Sequence, residues 1–152
     1  MSSSIIYVDR NFYMGRAGIK DVLHPEFEFS GPSKFSVAKL HEMPFPKEWP
    51  KGGSPPGYKA YEFLKTSGLL ERCLNWADIT AIQEKGKDFY WRWCSRKSMS
   101  AWKSVVVGYD DNLYLPFIHC SFVERSQKFE VLTSFVLLRM PFHEREFCCH
   151  LI

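Results

Sequence analysis

Residues 102–140, WKSVVVGYDDNLYLPFIHCSFVERSQKFEVLTSFVLLRM, decide the fold. Residues 101–109 (AWKSVVVGY) are rich in β-branched and aromatic side chains, which suit a pleated strand, and Asp110-Asp111-Asn112 then supplies residues suited to a tight turn. From Leu113 to Val123, Leu115, Phe117, His119, Ser121 and Val123 alternate with Tyr114, Ile118, Cys120 and Phe122. The polar cluster Glu124-Arg125-Ser126-Gln127 turns the chain into Lys128–Met140, where Phe129, Val131 and Phe135 alternate with Leu132, Val136 and Leu138. The pattern predicts three successive strands of one antiparallel sheet, apolar on both faces, with the last strand central. Pro116 has no amide hydrogen, so its strand is expected to be an edge at that residue or to bulge there.

A sheet apolar on both faces needs cover, and the helical periodicity lies upstream of it. Tyr58, Tyr61 and Leu64 fall on one stripe that Gly68 is placed to cap, and Leu69, Leu70, Cys73, Leu74 and Ala77 continue a second. Asp78 is an N-cap candidate for a third short helix ending at Gly86. The expected fold class is therefore α+β, a mainly antiparallel sheet with helices, at about residues 58–86, packed on one face. Nearer the start, Ile5–Val8 reads as a strand and Gly18–Leu23 as a brief helix that stops before His24-Pro25. Phe27 and Phe29, alternating with Glu26 and Glu28, and Lys34–Leu40 read as a second strand pair. Residues 43–57 (MPFPKEWPKGGSPPG) hold five of the nine prolines and three of the nine glycines, which makes them a Pro/Gly-rich loop of extended character.

The 152 residues fit a single domain over 1–152, long enough to bury a core. Aromatic residues reach 16%, with 13 Phe, so either the core is built from large rings or part of the surface is aromatic. A net charge of +3 is too small to imply a polyanionic partner by itself. Five cysteines at irregular spacing, without a signal peptide, point to reduced thiols and a cytoplasmic protein, and no apolar run is long enough for a transmembrane segment.

The most suggestive surface candidate is residues 85–103, KGKDFYWRWCSRKSMSAWK. There Trp91, Arg92, Trp93, Arg96, Lys97 and Trp102 interleave cations with rings, as single-stranded nucleic-acid binding requires, but the same pattern also serves a segment with rings inward and charges in water. With Trp49 and Phe45 of the loop, these residues suggest an aromatic-rich contact surface for another protein, with nucleic acid as the alternative partner. The expectation is a protein-binding, regulatory role in preference to catalysis; the sequence leaves oligomeric state open.

Phe117-Ile118-His119-Cys120-Ser121-Phe122 is similar to the hydrophobic-His-x-Ser/Thr-hydrophobic strand of two-histidine phosphoesterases. The resemblance implies phosphodiester cleavage with His119 and a second imidazole as base and acid, and Ser121 holding a phosphate oxygen. His41 is the partner available, although Met43 stands where the second strand has its hydroxyl residue. Leu69–Ala77 resembles the elongin-binding box of ubiquitin-ligase substrate receptors, with Gly68 where that box prefers Ala, Pro, Ser or Thr. Cys149-His150-Leu151-Ile152 loosely fits a prenylation tail, and a packed last strand is the alternative. His119, Cys120, His143, Cys148, Cys149 and His150 are donor types for zinc without ligand spacing, so no metal and no cofactor is expected.

Overall fold

The computed structural model describes residues 3–11, 18–42, 57–94, 97–140 and 150–152. In chain order its strands and helices are β1 (Ile5–Tyr7), β2 (Ile19–Val22), β3 (Lys34–Ser36), β4 (His41–Glu42), α1 (Gly57–Thr66), α2 (Trp76–Glu84), α3 (Gly86–Cys94), β5 (Met99–Ser100), β6 (Val106–Gly108), β7 (Leu113–Val123), β8 (Lys128–Leu137) and β9 (His150–Leu151). The expected α+β architecture is present, with an antiparallel five-stranded sheet and two small antiparallel pairs, β1 with β3 and β4 with β9.

β7 is the spine of the main sheet. β8 runs antiparallel along one edge of it without a break in register, from Tyr114 opposite Leu137 to Val123 opposite Lys128. The other edge is shared: β6 pairs at Leu113 and Tyr114, β5 pairs at Phe117 and Ile118, and β2 lies outside β6. Pro116 falls at the handover between β6 and β5. It has no amide to offer there, and its carbonyl accepts from the Ala101 amide at 2.9 Å.

The central position expected for the last strand belongs to β7; β8 is an edge strand. Apolar residues on both faces report cover above and below a strand, and carry no information about a neighbour at its side. The cover comes from both directions. α1 buries Ala60, Tyr61 and Leu64 against Leu115 and Leu138, whereas α2 and α3 bury Ile79, Ile82 and Tyr90 against Ile118, which points the opposite way from Leu115. The helical layer thus does not stay on one face throughout.

Local chemistry explains where elements start and stop. Gly68, at φ +76°, takes the left-handed position that follows α1. Asn75, not Asp78, caps α2: its side chain accepts from the Asp78 amide at 3.0 Å, while the Asp78 carboxylate accepts from the Asn75 amide at 2.9 Å. The Leu69–Ala77 stripe is consequently no continuous helix but a 3₁₀ turn at Leu70–Arg72 and an extended step into that cap. Residues 19–22, expected as helix, are strand. A bulge between Ile19 and Asp21 turns both Ile19 and Val22 inward, which imitates helical spacing in the sequence. Phe27 and Phe29 are not in a strand: Pro25–Phe27 form a 3₁₀ turn, and β3 pairs with β1 instead.

A charged network locks the N-terminal part to this frame. Arg10 bonds Pro32 O, at 2.9 Å from Nε, and reaches Asn75 Oδ1 at 3.3 Å. The Asn75 amide group in turn donates to the carbonyls of Phe27 and Ser30, each at 3.0 Å. Lys103, almost wholly buried, places Nζ 3.2 Å from Ser30 Oγ, and burial lowers its pKa.

Candidate functional site

The basic aromatic stretch folds mostly as α3, and a helix sorts its side chains by turn. Tyr90 and Cys94, one turn apart, are buried; Trp91 and Arg92 face outward. Trp91 is 40% exposed and meets Phe129 of β8 edge-on, with ring centroids 5.1 Å apart at 66°. Phe129 in turn meets Phe122 of β7 at 5.4 Å and 68°. Phe122 and Phe129 are 49% and 44% exposed. Three rings in edge-to-face contact therefore lie on one exposed surface near the hairpin turn of β7 and β8.

The remaining residues of the expected surface divide. Trp93 is half-buried against the core, with the Arg92 guanidinium 5.2 Å from its ring. Trp102 is fully buried in the cluster under α1, and its ring is unavailable to any partner. Lys97 is bonded to Glu42. Trp49 and Arg96 lie outside the described residues, as do Phe45, Cys148 and Cys149. Sequence reading missed Phe122 and Phe129, because alternation places them on a face without saying where the helical cover ends.

His119 and His41 stand in separate sheets, and among the described residues no hydrogen bond or cavity links them. His119 is on β7, with Nδ1 2.8 Å from Ser121 Oγ and Nε2 2.9 Å from Ser134 Oγ. Burial lowers its pKa, which favours the neutral ring, and both nitrogens are occupied by hydroxyls. His41 is exposed in a separate two-stranded sheet, opposite Leu151. A serine beside an imidazole is half of a nucleophile–base pair, but the other imidazole nitrogen meets a second hydroxyl where a carboxylate would orient the base. The arrangement is that of a histidine held within a sheet. The elongin-box resemblance also meets a buried face, since Leu70, Cys73, Leu74 and Ala77 all lie in the core. Among the described residues no three metal-donor side chains converge, and no helix is long and apolar enough to cross a membrane.

One cleft is lined by residues that sequence reading assigned only to local structure and to no site. It has a volume of about 350 Å³ and is walled by Ile19, Val106, Tyr109, Asp110, Tyr114 and Phe135. Asp110 accepts from Tyr114 Oη at 2.5 Å and from the Asn112 amide at 3.1 Å, and bonds from those residues hold its carboxyl down at about 2. A smaller cavity of about 170 Å³ brings Glu42, Trp93, Lys97 and His150 together. His150 is buried there, which pushes its pKa down to about 4. Neither cavity includes His119.

No family model, curated protein or solved structure matches the chain.

Proposed function

We propose that this chain is a binding protein that recognises another protein through the surface formed by Trp91, Phe122 and Phe129. The observation that supports this is their joint exposure: three large rings on three different elements, with Phe129 in contact with both Trp91 and Phe122, open to solvent where apolar side chains are normally withdrawn. Aromatic anchors of this kind supply large contact area at low conformational cost, and exposed Arg92, next to Trp91 on α3, adds a charged side chain beside the patch. The buried Trp102 and half-buried Trp93 take two rings away from a base-stacking platform, which favours a protein over a single-stranded nucleic acid.

Site-specific photo-crosslinking tests the reading. A crosslinker at Phe129, compared with one at exposed Tyr58 on α1, should capture a discrete protein that Trp91→Ala no longer captures. Equal products from both positions, or nucleic acid alone with capture falling steeply as salt rises, would overturn it.

A further inference from the structure

β8 is an edge strand of ten residues, and beyond Lys128 and Glu130 at its start its sequence carries none of the usual protection for such an edge. It has no proline, no glycine and no bulge, and from Val131 to Leu138 it has no charge. Its backbone groups can be assigned a direction. Leu138 N donates to Leu113 O at 3.0 Å, so in the antiparallel ladder Leu132, Ser134 and Val136 spend their amides and carbonyls on β7. The intervening residues point outward, in agreement with Val131 O accepting from the Gln83 side chain at 3.0 Å. Beyond that contact, the outward amides of Thr133, Phe135 and Leu137 and the outward carbonyls of Thr133 and Phe135 have no hydrogen-bond partner among the described residues. Phe135, in the middle of this open stretch, is 44% exposed.

We infer that this edge is a self-association site, where Thr133–Leu137 pairs antiparallel with the same segment of a second copy of the chain about a two-fold axis at Phe135. A row of alternating outward donors and acceptors is satisfied by another extended backbone and by little else. The identical strand fits for reasons visible in its sequence. A two-fold at Phe135 sets Phe135 against Phe135, Thr133 against Leu137 and Ser134 against Val136, aromatic and β-branched pairs of the kind that stabilise sheets. Arg139 of one copy comes level with Val131 of the other and Glu130 with Met140, so no like charges oppose. Gln83 keeps its bond to Val131, outside the paired segment. The interface is isologous, the commonest arrangement of homodimers. The inference does not rest on the aromatic-surface reading, since Trp91 and Phe122 lie off this edge and Phe129, though on β8, lies outside Thr133–Leu137.

Sedimentation equilibrium and amide exchange on the full chain test it together. A species of twice 17.8 kDa should form with rising concentration. With it, the amides of Thr133, Phe135 and Leu137 should gain protection, while those of Leu132, Ser134 and Val136 are protected at every concentration. Phe135→Lys, which opposes two like charges at the axis, should weaken association at least about tenfold. Thr133→Pro, removing an amide that β7 does not use, should weaken it as well, with the far-ultraviolet spectrum unchanged. Trp91→Ala should leave it intact. A monomer throughout, or a dimer without the alternating protection, overturns the inference; a dimer abolished by Trp91→Ala but indifferent to Phe135→Lys overturns it and assigns the contact to the aromatic surface.

Discussion

Arg10 Nη2 sits 2.7 Å from Asp78 Oδ1, and Asp78 is wholly buried in the first turn of α2. Burial raises the Asp78 pKa, and the Asn75 amide and Arg10 oppose that rise. Removing the guanidinium leaves a buried carboxylate with less compensation and frees Pro32 O as well. Arg10→Ala is expected to cost about 3–5 kcal/mol in urea denaturation, and Asp78→Asn in the same chain should recover part of it. A loss within about 0.5 kcal/mol would mean that water replaces the guanidinium at no cost.

The core and the edge of the sheet should respond differently to the loss of a ring. Trp102 is fully buried between α1 and the sheet, so Trp102→Ala should destabilise by about 3–5 kcal/mol. Phe135 is half-exposed and rests on Trp76 with centroids 5.2 Å apart, so Phe135→Ala should cost roughly 1–2 kcal/mol, measured where the chain is monomeric. Comparable losses at the two positions would mean that the Phe135 ring is covered as fully as that of Trp102 and contradict its half exposure.

Stability should fall on mild acidification. His150 titrates near 4 in the folded chain, mainly because burial disfavours the imidazolium, against about 6.5 when unfolded. Between those values the unfolded chain binds more protons, so the contribution is complete above about pH 6.5 and is lost as pH falls towards 4. The loss is on the order of 2 kcal/mol by pH 5, and the lowered pKa of His119 acts in the same direction. Denaturation midpoints at pH 7.5 and 5 should differ clearly in the native chain and much less in His150→Phe. An equal difference in both would show that other groups carry it.

Gly108 is required by its neighbours. A Cβ there would lie 2.8 Å from both Asp110 Oδ1 and the Tyr114 ring, the pair that closes one wall of the larger cleft. Gly108→Ala should therefore destabilise by about 1–3 kcal/mol and break the Tyr114–Asp110 bond, which a tyrosine titration would detect because that bond raises the Tyr114 pKa. An unchanged Tyr114 titration in a folded variant would refute the steric argument.

The sequence by itself determined β7, β8 and the turn between them; of the strand expected over 101–109 only Val106–Gly108 is strand, and Trp102–Ser104 form a 3₁₀ turn. The runs Leu113–Val123 and Lys128–Leu137, joined by the short polar turn Glu124–Gln127, admit one hairpin, whose register the turn sets. It also determined α1, where Tyr58, Tyr61 and Leu64 recur at helical spacing ahead of Gly68, although Tyr58 is exposed and Ala60 is buried with Tyr61 and Leu64. Periodicity is a local property, and these elements are long enough to express it.

Tertiary structure alone decided the rest. The short strand Ile19–Val22 borrows helical spacing from a bulge that exists only because β6 lies beside it. β8 is an edge although it too carries apolar residues on both faces, because side-chain alternation records the layers above and below a strand, while its lateral neighbours are matched through backbone groups that every residue shares. The same limit governs the candidate surface. Trp91, Trp93 and Trp102 are one residue type in one stretch, and α3 exposes the first and half-buries the second while the cluster under α1 encloses the third. Phe122 and Phe129 join Trp91 across positions 31 and 38 residues away in the chain. Which rings meet solvent is set by where the helices stop covering the sheet, a boundary written in the packing of many side chains and in none of them singly.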